Sequence, residues 1–218
     1  MDYLTNRFSI FISVLLILGS ILWSPNFFQE QQRALIAPVP QMQYFHFGFN
    51  EVIADSLWIR AIQDFDYCEK QLAGNLCKGN GWLFKMLDTV TDLSPHFRMP
   101  FATGGIALSV IISDIEGASK LFDKAELVFP YEWAIMYRAA FHSIYEEKNP
   151  DKAARRLILS AQHGGGEWFY ALAARMYTEA GKKELGERLY QDLKNSDFEH
   201  EWVLKRMRDR LDGKLDRK

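Results

Sequence analysis

Small residues recur along this chain at about the length of one helical hairpin, and that spacing restricts its possible folds more than any other feature. Ala118 and Ala153 stand 35 residues apart, and Gly186 follows Ala153 by 33. Four positions after each comes a large apolar residue, Phe122, Leu157 or Tyr190, and three further on Ala125, Ser160 or Leu193. A small residue lets two helices approach closely, and the large one fills the neighbouring groove. Pro95 and Pro130 are also 35 apart, each ending a helix-like segment with aromatics beyond it, in "WLFKMLDTVTDLSPHF" and "GASKLFDKAELVFPYEW". Proline cannot continue a helix, and the aromatic after it starts the packing of the next one. No stretch alternates convincingly as a strand. Short turns such as "SPHF", "EEKNPD", "QHGGGEW" and "EAGKKE" separate the periodic segments. The reading is all-α, an array of hairpins, with an unrelated Ala-seamed helical bundle as the competing fold.

The N-terminus reads differently. "FSIFISVLLILGSILW" runs from Phe8 to Trp23 without a charge. As a helix it spans about 24 Å, and more if extended to Phe28, against a hydrocarbon core of about 30 Å. Arg7 can snorkel at one end, and Trp23 suits the opposite interface. Residues 1–28 therefore read as a membrane anchor. A cleaved signal peptide is the alternative, but no small-x-small site closely follows the run. Arg7 and the terminal amine against Asp2 predict a cytoplasmic N-terminus and a body on the extracytoplasmic, periplasmic side. Residues 29–49, stiffened by Pro38 and Pro40, read as a connector.

From residue 50 the array begins. "NEVIADSLWIRAIQDF" places Val52, Ile53, Leu57, Ile59, Ala61, Ile62 and Phe65 at helical spacing, with Asn50 as N-cap. The only cysteines, Cys68 and Cys77, flank a Gly/Asn-containing segment. They pair as a disulfide in an oxidising compartment, or stand as two separate thiols. Two Cys alone are too few ligands for a metal site.

These segments resemble the tetratricopeptide repeat (TPR) family, whose helix-turn-helix unit is about 34 residues long. Tyr137, Ala140, Phe141 and Ile144 match its packing positions, as do Tyr170, Ala173, Ala174 and Tyr177 with Gly181 at the turn. Ala102, Gly105, Ile106 and Ser109 do so with Pro130 at the end. The likeness covers roughly Met99–Lys194. Ile106 and Phe141 stand where many members carry Gly. The resemblance implies an α-solenoid of about three to four hairpins over residues 50–198. The first repeat, 50–98, is divergent and carries a Cys-bearing insertion at 66–81. Residues 199–218 hold a capping helix with Leu204, Met207, Leu211 and Leu215 in an apolar stripe, and a basic tail. The resemblance also implies a concave groove for a protein or peptide partner, lined by Ile135, Arg138, His142, Tyr145 and Glu146. Trp168, Ala171, Arg175, Thr178 and Glu179 continue it.

No catalytic constellation is legible. The chain has no Walker loop, no H-E-x-x-H, no G-x-S-x-G and no dinucleotide fingerprint. "HGGGEW" reads as an inter-repeat turn, and Gly104-Gly105 as a close helix contact. The five histidines lack metal-ligand spacing. A net charge of −2 gives no pull toward nucleic acid. The sequence therefore predicts no enzyme, no cofactor and no metal. It predicts a membrane-anchored adaptor that binds a partner within a multi-protein envelope complex. The alternative is a structural subunit of such a complex, held by its anchor and outer helix surfaces.

Overall fold

A computed structural model describes residues 35–39, 42, 44, 47–70 and 76–214. The anchor expected over residues 1–28, with Arg7, Phe8 and Trp23, lies outside the described residues, and so does Leu215. Among the described residues no helix is long and apolar enough to cross a membrane, and no strand occurs.

The described chain is all-helical. Helix α1 (Asn50–Gln63) and α3 (Trp82–Leu93) form the first hairpin, with the short α2 (Phe65–Lys70) between them. Two π-helical stretches follow, Pro100–Gly104 and Ala107–Ile112, continuous through residues 105–106. This wide helix pairs with α4 (Ile115–Val128). Then come α5 (Trp133–Tyr145) with α6 (Pro150–Gln162), and α7 (Trp168–Glu179) with α8 (Lys183–Asn195). Helix α9 (Glu201–Leu211) packs on both α7 and α8. Each hairpin touches its neighbours in the sequence, which is the arrangement the 33–35 residue spacing predicts.

The seams are built as expected. Ala118 and Ala153 are fully buried, and so are Phe122 and Leu157 four residues on. A Cβ on Gly186 would come within 2.7 Å of the tip of the Leu211 side chain, which marks a close approach of α8 and α9. Gly104 and Gly105 serve close packing too. A Cβ would meet Leu87 at 2.9 Å and the Phe122 ring at 2.6 Å. The same pair, with the missing N–H of Pro100, weakens regular α-helical bonding and leaves the chain in its wider form. Ser113, left-handed at φ 57°, ends the wide helix. Asp114 then caps α4 by accepting from the Gly117 N–H at 3.0 Å.

Three local expectations need correction. Asn50 is not the N-cap of α1. Phe49 holds that position without a side-chain bond, and the Asn50 Oδ1 atom is buried without a partner. The inward stripe of α9 is Val203, Met207 and Leu211, so Val203 replaces Leu204. Val203, Met207 and Leu211 share a core cluster with Tyr170, Ala171 and Ala174 of α7, which turns the buried face toward the Val203 side. Thirdly, part of the 29–49 connector is packed. Leu35 and Ala37 lie against the first core cluster, and the Trp82 indole N–H donates to the Ile36 carbonyl at 3.2 Å.

Candidate functional site

The clearest candidate site lies between the first two hairpins. There an open cavity of about 330 Å³ is walled by four elements. Trp58, Ala61 and Ile62 come from α1, with Phe65 at the start of α2. Leu83 and Leu87 come from α3, and Met99, Thr103, Ala107 and Ile111 from the wide helix. Gly104 completes the wall, where its lack of a side chain lets the wide helix close on Leu87. Thr103 brings the only hydroxyl, which donates to the Met99 carbonyl at 2.8 Å. The wall therefore offers no charge, and its side-chain hydrogen-bonding groups are the Thr103 hydroxyl and the Trp58 indole N–H. Ile62 is 56% exposed at its rim, and Ile59, Met99, Val110 and Ile111 are exposed as well. π-Helical turns recur at functional sites because the added residue displaces side chains from regular helical register. Here they shape one wall of the groove.

Beside this groove the disulfide is formed. Cys68 on α2 and Cys77 before α3 are bonded, with Cα atoms 5.7 Å apart and both residues buried. It closes the chain between Phe65 and Leu83, both groove residues, and so holds α2 against the start of α3. No group of three or more His, Cys, Asp or Glu side chains among the described residues could hold a metal ion.

The residues assigned to a groove from the sequence are scattered by the structure. Ile135 and His142 are fully buried and Ala171 nearly so, so they offer no surface to a partner. Ile135 packs in the core shared with the first two hairpins. His142 bridges three elements, its Nδ1 2.7 Å from Ser109 Oγ and its Nε2 2.9 Å from Ser119 Oγ. Loss of solvation pushes its pKa down from 6.5 to about 4, so the ring is neutral. The difference lies in the width of the buried face. Helix α5 is flanked on several sides and buries Ile135, Met136, Ala139, Ala140, His142 and Ser143, an arc wider than a single inward stripe. Tyr145 and Trp168 are exposed, while Arg138, Glu146 and Thr178 are partly so. Arg175 and Glu179 are engaged with each other at 2.6 Å.

Two features escaped the sequence reading. Arg156 is the largest fully buried side chain among the described residues. Its guanidinium donates to Glu126 at 2.9 Å, to Asp123, to Ser143 Oγ at 2.9 Å and to the Ala139 carbonyl at 3.2 Å. Lys152 joins Asp123 to Glu147 beside it. The position was legible, because Arg156 falls three residues after Ala153 and so on the same helix face. The second is a dipeptide. Glu132-Trp133, Glu167-Trp168 and Glu201-Trp202 recur at 35 and 34 residues, each at the start of an odd-numbered helix, α5, α7 and α9. Glu132 pairs with Arg98 at the start of the wide helix, and Glu167 lies 3.3 Å from His200 just before α9. These glutamates link the start of one hairpin to the start of another, and Gly164 lies beside the Trp133 ring.

Comparison of the chain with protein-family models, curated proteins and solved structures gave no match.

Proposed function

We propose that this chain is a membrane-anchored, TPR-like interaction module that receives the apolar face of a partner helix in the groove between its first two hairpins. The observation that carries the proposal is the groove itself, an open and mostly apolar cavity without a charged side chain. Its wall holds no charge that would anchor an ionic ligand. An amphipathic helix presents apolar side chains at i, i+3, i+4 and i+7, which suits a cavity rimmed by isoleucines on two neighbouring helices. Exposed apolar surface kept on a packed scaffold is characteristic of interaction sites. Binding rather than catalysis is the role put forward. The disulfide supports an extracytoplasmic body, since such bonds persist in oxidising compartments. The surface of α5 and α7 suits a partner less well, because Arg175 and Glu179 would first have to part.

The test is co-purification of partners with full-length protein from detergent extracts. Ile62→Glu places a carboxylate at the groove rim, where a docking apolar side chain would desolvate it. Partner recovery should fall by about tenfold or more. Arg138→Glu with Arg175→Glu should leave recovery unchanged. If Ile62→Glu assembles normally, the groove is not the site and the chain is better read as a structural subunit held through its outer surfaces.

A further inference from the structure

We infer that the turn carrying Tyr44, Phe47 and Phe49 rests in the interfacial layer of a lipid bilayer. From Ala34 to Asn50 the chain carries no Asp, Glu, Lys or Arg, and its only ionisable side chains are those of Tyr44 and His46. Within this stretch Tyr44 is 73% exposed, Phe47 85% and Phe49 63%. Ile36 and Val39 are exposed as well, although Leu35 and Ala37 between them are packed on the core. The turn is therefore fastened to the body while its aromatic side chains face outward.

The backbone adds an independent observation. Phe47 at φ 48° and Gly48 at φ 82° are consecutive left-handed residues. Gly adopts this region freely, but a bulky aromatic is strained there. Such strain ordinarily persists where burial or function offsets it. Phe47 gains no burial among the described residues, and an apolar layer in contact with its ring would offset the strain. A bilayer interface fits the composition. Aromatic and amphipathic rings concentrate at the boundary between headgroups and acyl chains, and an uncharged turn has no ion to desolvate on entering it. Leu35 also follows Trp23 by only twelve residues in the sequence. The inference rests on the anchor reading in this respect, since it takes the apolar run Phe8–Trp23 to lie in the membrane. The acidic start of α1, Glu51 and Asp55, points to a zwitterionic rather than an anionic surface.

The test uses the full chain in phosphatidylcholine vesicles. Cys68 and Cys77 are bonded to each other, so a single added cysteine accepts a nitroxide label alone. Labels at Tyr44→Cys, Phe47→Cys and Phe49→Cys are compared with one at Leu127→Cys, an exposed site on α4. Collision with oxygen, which concentrates in lipid, is measured against collision with a water-soluble nickel chelate. The expected result is an oxygen-to-nickel ratio several-fold higher at the three turn sites than at residue 127. Equal ratios in protein that floats with the vesicles would overturn the interfacial contact and leave the anchor standing. Protection of the turn from both reagents would overturn it in favour of a protein cover. Protein that fails to float would remove the anchor reading and this inference together.

Discussion

The first two hairpins and the last two are packed by the same helical rules but finished differently. Along the first, apolar side chains remain open to solvent on α1 and the wide helix, around a cavity with no charged lining. Along the last, charged side chains are matched to one another. Arg155 pairs with Asp151, which also meets Lys182, and Arg208 pairs with Glu187 while lying over the Tyr190 ring. The hydrogen bond from Lys182 is the main cause holding the Asp151 carboxyl below its usual pKa. Between the two ends, α4 and α6 are joined through the buried Arg156. A surface whose charges are satisfied internally has little left for a partner, whereas an uncovered apolar surface retains a reason to bind one. On the proposed reading, recognition belongs to the first part, although Lys124 is paired with Asp88 and Asp92 there as well, and fastening to the second.

The largest test of that contrast is the Arg156 cage. Changing Asp123→Asn together with Glu126→Gln leaves a buried guanidinium without counter-charge. Loss of the partners of a buried ion costs about 3–5 kcal/mol, and thermal melting should show it. A loss below about 1 kcal/mol would mean that the later hairpins are not fastened by this charge.

Acid provides the next test. The folded pKa of His142 lies below its ordinary value, so the unfolded chain takes up the proton first. Its contribution to stability is whole above pH 6.5 and falls as the pH drops toward about 4, by at most about 1.4 kcal/mol for each unit. Denaturant titrations across this window should show the slope, and His142→Gln should flatten it. An unchanged slope in that variant would show that the ring between Ser109 and Ser119 is not the group responsible.

A smaller effect tests the seams common to both regions. Ala153→Leu adds bulk to a fully buried contact and should cost about 1–3 kcal/mol. Arg155→Leu, on the exposed side of the same helix, should change stability by less than about 1 kcal/mol. The reverse order in thermal melts would show that the hairpin register is wrong.

The sequence carried the register of the hairpins because steric exclusion at Ala118, Ala153 and Gly186 is written in single residues. It carried the disulfide as an open alternative and the turn at Gly164–Gly166 outright. The groove was hidden for a physical reason. Val52, Ile59 and Ile62 share helical periodicity with Leu57 and Ala61, and periodicity marks an apolar face without stating whether another element covers it. On α1 the exposed residues belong to the same pattern as the packed ones. His142 failed in the opposite sense. A polar residue in a helical row reads as solvent-facing until two serines from other elements supply its hydrogen bonds.

The Glu-Trp dipeptide has a consequence for how such a chain can change in length. Because α9 opens with the same pair as α5 and α7, it begins as the leading helix of a hairpin does. Excising residues 132–166 would set Glu167 directly after Tyr131, where Glu132 had been, and would bring a carboxylate into reach of Arg98 again. The Glu-Trp pairs therefore mark equivalent points in successive hairpins, and a cut between two of them leaves every residue of the groove wall in the chain.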